Sequence, residues 1–344
     1  MEIELLVFRR QYLQLLEPEF LQWPPKQLLK DPSTQLWLSK IFGQSDNERL
    51  PPPRYQLRVL KQLVARIEDC IEDPEEDGIS DELVSKLSGL VAVEIPSEAI
   101  AVQQTSHVTF TCLPSHINSV EDPNQEPTVT LLERPNLICG SQTTGFRTWE
   151  AALHLGSFLL SPEGTSLIKN KNILELGAGT GFPGILCAKH LGAKHATSTD
   201  GATDVVEALR ENFFLNGLDN KEFSTLDVLK FGHALKGTWV EDDCNSHPYN
   251  VAIGSDLMYH KGTISALAST LRYLFELRPN LLVVLSGVLR NVDTFQAARD
   301  ALASANFTVT DVDFDPVPLR KQVGLFYATA VPIKIFKITK RPAG

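Results

Sequence analysis

The feature that most constrains this chain is a glycine run set between an apolar strand and a helix. Ile173-Leu174-Glu175-Leu176 leads into Gly177-Ala178-Gly179-Thr180-Gly181, and the helix-compatible stretch Pro183–Leu191 follows. Glycines at alternate positions let the backbone turn sharply and let a ligand approach the main chain. The helix beyond offers unbonded N–H groups to that ligand. A strand, a glycine turn and a helix in this order place the turn at the carboxyl edge of a parallel sheet.

The surrounding sequence continues the pattern. Strands are expected at Val129–Leu132, Asn136–Cys139, Asn172–Leu176, His195–Thr199, Phe223–Val228, Asn250–Ile253, Asn280–Ser286, Phe307–Val312 and Tyr327–Ile338. Helices are expected at Thr148–Leu160 with Thr148 as N-cap, and at Pro183–Leu191, Thr203–Asn216, Thr263–Phe275 and Thr294–Ala305. Such alternation predicts an α/β fold with a doubly wound, Rossmann-like sheet. Two consecutive strands at the end predict an antiparallel edge hairpin. Residues 1–100 differ in style. Leu5, Leu6, Phe8, Tyr12, Leu15 and Leu16, and then Leu57, Leu60, Leu63, Val64 and Ile67, recur near helical spacing. The expected organisation is a helical N-terminal region (1–100), a linker (101–127) and an α/β domain (128–344).

Composition removes several classes of function. The net charge of −10 disfavours a nucleic-acid surface. No apolar run approaches the roughly 20 residues of a membrane span, and the acidic start Met1-Glu2-Ile3-Glu4 does not resemble a targeting segment. The five cysteines, Cys70, Cys112, Cys139, Cys187 and Cys244, show no CxxC spacing, which argues against a zinc site or a disulfide framework. The histidines follow no ligand spacing either. The expectation is a soluble cytoplasmic monomer that works without a metal.

The glycine spacing narrows the ligand. A dinucleotide fingerprint G-x-G-x-x-G would place glycine at 182, where Phe182 stands. The loop instead satisfies G-x-G-x-G, which suits S-adenosylmethionine, a cofactor without a pyrophosphate. No Gly-Lys-Ser/Thr follows, so phosphate-loop chemistry is disfavoured. Asp200 ends the next strand, where a carboxylate can accept from both ribose hydroxyls.

At these residues the chain resembles the seven-strand methyltransferases, and within them the family-16 protein-lysine methyltransferases. Thr144-Gly145-Phe146-Arg147-Thr148-Trp149-Glu150-Ala151-Ala152 is similar to that family's Thr-Gly…Trp-x-Ala-Ala segment. Ser255-Asp256-Leu257-Met258-Tyr259 resembles its Asp-x-x-Tyr signature. The helical first hundred residues, including Leu50-Pro51-Pro52-Pro53-Arg54-Tyr55, are similar to the extra region of one branch, whose members act on translation elongation factor 2. The resemblance implies a seven-strand methyltransferase sheet, S-adenosylmethionine as cofactor, and a protein substrate, elongation factor 2. It implies cofactor contacts from Trp149, Gly177, Ala178, Gly179, Asp200 and Ser255, with Trp239 stacking near the adenine. It points to the N-terminal helices for substrate recognition.

Methyl transfer to lysine needs a neutral amine. Holding a lysine of pKa about 10.4 neutral at pH 7 costs about 4.6 kcal/mol. A carboxylate nearby raises that pKa. Asp256 is therefore expected to bind and orient the ammonium group, with the proton lost to solvent. Tyr259, three residues on, is expected on the same side, where it can orient the amine or pack on its stem.

Overall fold

The computed structural model describes residues 1–42, 49–73, 77–93, 104–120, 122–135, 144–220, 222–258 and 261–341. Prolines punctuate the N-terminal helices as the sequence suggests. Among the described residues these are α1 (Ile3–Leu13), α2 (Lys26–Lys30), α3 (Pro32–Ile41), α4 (Pro53–Glu68) and α5 (Asp81–Ala92). Pro32 and Pro53 each open a helix, where a missing N–H costs nothing. Asp31 caps α3 by accepting from the Thr34 N–H at 2.8 Å. One face of α4, with Val59, Leu60, Leu63 and Ile67, packs with Phe8, Tyr12, Leu38 and Phe42 into a core of its own.

The segment expected as a linker carries a strand. β1 (Ser106–Thr111) pairs antiparallel with β2 (Thr128–Glu133). Val108 and Phe110 are buried and alternate with polar residues, the period of a half-buried strand. Its brevity and polar flanks hid it among loop residues. The strand expected at Asn136–Cys139 lies outside the described residues.

The expected sheet is present. β3 (Asn172–Leu176), β4 (His195–Asp200), β5 (Ser224–Val228), β6 (Val251–Ser255), β7 (Leu282–Val288), β8 (Phe307–Val312) and β9 (Ile333–Lys340) lie in the order β5-β4-β3-β6-β7-β9-β8. All neighbours pair in parallel except β9, which is antiparallel to both β7 and β8. The terminal pair is antiparallel, as expected, but it is not a tight hairpin. The last strand starts at Ile333 rather than Tyr327 and inserts inside β8, and the connection 313–332 first bonds to Arg10 and Gln14 through Val323 and Phe326.

Helices cover both faces. α6 (Glu150–Leu159), α7 (Pro162–Ile168), α8 (Phe182–Lys189) and α9 (Thr203–Leu215) share a core with Ile173, Val251, Ile253 and Val284. α10 (Trp239–Ser246), α11 (Lys261–Leu277) and α12 (Val292–Ser304) share one with Leu174, Leu176, Ala252, Val283 and Leu285. Neighbouring residues on one strand thus feed opposite cores. The order reverses at β3 and β6, so a crevice opens at their carboxyl ends.

The helical region is bound into this domain by buried polar contacts. Arg10 is 1% exposed and forms an ion pair with Glu126, donating from Nε at 3.0 Å. It also donates to the carbonyls of Asn118 (2.9 Å) and Val323 (2.7 Å). Gln14 accepts from the Phe326 N–H at 3.0 Å and donates to the Phe326 carbonyl. Breaking a buried pair costs about 3–5 kcal/mol, and loss of Arg10 would leave Glu126 with only the more exposed Arg9, 3.5 Å away. Arg10→Ala should therefore destabilise the whole chain by about that much in denaturant unfolding. A loss below about 1 kcal/mol would show that α1 is only loosely attached.

Candidate active site

The glycine loop owes its shape to three left-handed residues. Gly177, Gly179 and Gly181 have φ of +60°, +54° and +83°, a region that side chains penalise. Space is also short. A Cβ on Gly177 would stand 2.5 Å from Leu257 Cδ2, and one on Gly179 would stand 3.2 Å from the Gly145 carbonyl oxygen. The G-x-G-x-G reading therefore has a backbone cause at each glycine.

Beneath the loop lies a group the sequence reading left without a role. Glu175 is 2% exposed, and its carboxylate accepts from the Gly184 N–H (3.1 Å) and the Ser198 hydroxyl (2.6 Å). Gly184 sits in the first turn of α8, where N–H groups have no intrahelical partner. A Cβ there would collide with both Glu175 and Ser198, which explains the fourth glycine of the run. Burial pushes the Glu175 carboxyl up to about 7, against the pull of its two donors. Glu133 is a parallel case. Burial pushes it up to about 7, and Thr148 donates to it from Oγ1 at 2.6 Å and from N at 3.2 Å. Thr148 is thus not a helix cap. α6 begins at Glu150, and Trp149 holds the cap position without a side-chain bond.

A cavity of 530 Å³ opens over the loop. It brings together Trp149, Gly177, Ala178, Gly179, Asp200, Ser255 and Asp256 from four separate stretches of chain. Asp200 Oδ2 accepts from the Gly179 N–H and Oδ1 from the Ala202 N–H, both at 3.1 Å. Burial raises its pKa and these bonds oppose the rise. The acid at the end of β4 therefore braces the loop while facing the cavity. Trp239 is not among the residues that line the cavity. Its indole N–H donates to the Val228 carbonyl at 3.1 Å and its ring packs into the core around α10 and α11. Leu229 and Phe231, just beyond the end of β5, line the wall instead. Their place after a strand end was the available signal.

Asp256 is the most constrained residue of the site. It follows β6 with φ of +51°, unusual for a residue with a side chain. Its N–H donates to the Ser286 carbonyl at 2.8 Å, and its Oδ1 accepts from the Val288 N–H at 2.9 Å. Oδ2 is buried and has no partner among the described residues. Burial raises the carboxyl pKa, and Glu150 adds to the rise while Arg290 opposes it. Asp256, Trp149 and Thr144 also line a second cavity of 250 Å³, closed by Met258, Val288, Arg290 and Phe295. Trp149 stands between the two spaces, its indole N–H donating to the Thr144 carbonyl at 2.9 Å. The Arg147 and Arg290 guanidinium carbons lie 5.1 and 6.0 Å from its ring centroid. Tyr259 lies outside the described residues.

The fold gathers one cluster that spacing did not suggest. His195, Asp243 and His247 place ligand-type atoms within 4.8 Å of one another. The two imidazoles stack at 3.6 Å with planes 3° apart. Their in-plane lone pairs run side by side, so an ion at about 2.0–2.1 Å would leave both ring planes. Asp243 is already occupied by Thr197, Thr225, Tyr249 and His247. The cluster joins β4, β5 and α10 as a hydrogen-bond network.

Comparison with known proteins places this geometry. A family model described as lysine methyltransferase matches residues 138–296. Protein-lysine N-methyltransferase EFM3 of Chaetomium thermophilum is 42% identical, over 96% of this chain and 96% of that protein. The protein of the same name from Saccharomyces cerevisiae is 30% identical, over 63% of this chain and 67% of its own. Human protein-lysine N-methyltransferase EEF2KMT is 30% identical, over 52% and 55%.

Glu175 and Glu133 make stability depend on pH. Their folded-state values, near 7, exceed the ordinary carboxyl value of 4.5. The folded chain then holds protons that the unfolded chain has lost, so their contribution is complete below about pH 4.5 and is lost as pH rises through about 7. Glu175→Gln should shrink the fall in Tm between about pH 5 and about pH 7.5. An unchanged fall would mean that Glu175 is ionised throughout.

Proposed function

The chain belongs to the protein-lysine N-methyltransferase family, and from that premise we propose that it methylates a lysine of translation elongation factor 2 with S-adenosylmethionine. The single observation that carries the reading is the buried Oδ2 of Asp256, which has no partner among the described residues and sits between two cavities. A buried acceptor without a partner is costly, and an incoming ammonium group satisfies it.

The larger cavity fits the cofactor. Left-handed glycines leave room at the loop where side chains would intrude, and Asp200 faces a ribose with free lone pairs on both oxygens. Trp149, Gly177, Ala178, Gly179, Asp200 and Ser255 would hold it, with Leu229 and Phe231 rather than Trp239 beside the adenine. The cofactor supplies a methyl group activated on a sulfonium. The chain's own residues bring the acceptor to it. The lysine stem lies in the smaller cavity, against Met258, Val288 and Phe295. Asp256 Oδ2 accepts from the ammonium group and fixes its direction. The bonds from Val288 and to Ser286 keep that carboxylate from turning away. Alignment of two bound reactants supplies most of the rate.

Substrate choice rests on the N-terminal region. The helices resemble those of the branch acting on elongation factor 2, and human EEF2KMT is 30% identical to this chain. A groove of 420 Å³ joins them to the catalytic side, lined by Leu16, Phe20, Glu133, Glu150, Leu319 and Tyr327. We assign substrate recognition to this surface.

Two measurements test the reading. Purified chain mixed with S-adenosylmethionine and elongation factor 2 should give a methylated lysine by peptide mass spectrometry. Unmodified elongation factor 2 after complete incubation would remove that substrate. Asp256→Ala should lower kcat by about 100-fold or more while changing cofactor Kd by less than about threefold. Equal losses in both would mark Asp256 as structural.

A further inference from the structure

Asp256 solves one half of the acceptor problem and worsens the other. A carboxylate beside the lysine favours the ammonium form, yet only the neutral amine has a lone pair to give. Among the described residues the site has no neutral general base: no histidine lines either cavity. A positive group near Asp256 would ease loss of the ammonium proton.

Arg290 stands in such a place. It follows β7 and lines the smaller cavity together with Asp256 and Trp149. Its guanidinium carbon is 6.0 Å from the Trp149 ring centroid. Among the described residues no carboxylate forms an ion pair with it, so its charge is not spent locally. Among the described residues, the charged groups around the acceptor space come from three stretches of chain, with Asp200 across the larger cavity. Arg147 and Glu150 flank Trp149 at the start of α6, Asp256 follows β6, and Arg290 follows β7. The Arg290 charge reaches Asp256, whose carboxyl it pulls down against the upward push of burial and of Glu150.

We propose that Arg290 is an electrostatic residue of the transfer reaction, its guanidinium lowering the pKa of the lysine held by Asp256. The inference rests on the lysine-methyltransferase reading of the site. The lysine arrives as ammonium and is captured by Asp256 Oδ2. The nearby guanidinium then favours release of one proton to water, which leaves the lone pair on Nζ. Arginine suits this task because it stays protonated at every working pH.

The test has two arms. In the protein as purified, without cofactor or substrate, carbon-detected NMR follows the Asp256 carboxyl through a pH titration. Arg290→Gln should raise its midpoint, and Arg290→Lys should restore it. An unmoved midpoint would overturn the proposal, because the charge would not reach the site. In the second arm, rates of transfer to elongation factor 2 are measured from about pH 6.5 to about pH 9.5. Arg290→Gln should lower kcat about tenfold near pH 7 and approach wild type near pH 9.5, a shift of about one pH unit. Arg290→Lys should keep the wild-type profile. A loss equal at every pH would mean a structural role and would also overturn the proposal. Absence of transfer by the wild type at all pH values would instead strike the substrate assignment, leaving the titration arm to decide on Arg290.

Discussion

A carboxylate sealed under the glycine loop is the contact on which the site depends. Glu175 on β3 reaches the Gly184 N–H in α8 and the Ser198 hydroxyl on β4. Three elements that converge on the cofactor crevice are thereby fixed to one buried side chain. Gly184 must lack a side chain because Glu175 and Ser198 fill the space. With α8 held, the loop between Leu176 and Phe182 has to close over very few residues, and three left-handed glycines are the way it does so. The position of Asp200 follows, since its bond to the Gly179 N–H needs the loop in that place.

A second constraint shapes the acceptor side. Asp256 takes a left-handed backbone, and its neighbours on β7 hold it there through Ser286 and Val288. Backbone strain of this kind costs about 1–3 kcal/mol and persists where the surroundings enforce it. Here it aims a carboxylate at the wall shared by two cavities. Trp149 forms the other side of that wall, pinned by the Thr144 carbonyl. The result is two adjoining cavities of 530 and 250 Å³ that meet at an oxygen without a partner among the described residues.

Much of this was legible in the sequence, for definite reasons. Positive φ selects glycine, so the loop left its spacing on the page. A strand end with an acid left Asp200, and a short segment after β6 left Asp256. What remained hidden depended on packing across the chain. Glu175 reads as one polar residue in an apolar strand until its partners on α8 and β4 are known. Trp239 is an aromatic in the expected stretch, but α10 turns it toward the core, and Phe231 lines the wall. β1 was concealed by its polar flanks. The insertion of β9 inside β8 was invisible because nothing local distinguishes an edge strand from its neighbour. Arg290 reads as an ordinary loop residue, and only the fold sets it on the same cavity as Asp256. Tyr259 stands outside the described residues, and its part in orienting the amine is a proposal carried by resemblance alone. The N-terminal helices proved less separable than their composition suggests, since Arg10 and Gln14 are built into the catalytic side.

The account's central claim is that the acceptor amine meets Asp256 Oδ2 from the smaller cavity. A crystal structure with S-adenosylhomocysteine and a lysine peptide of elongation factor 2 tests it most directly. The account predicts the lysine stem between Met258, Val288 and Phe295, with Nζ within hydrogen-bond distance of Oδ2, about 2.7–3.2 Å. A lysine entering by another route, with Oδ2 still unpartnered, would contradict it.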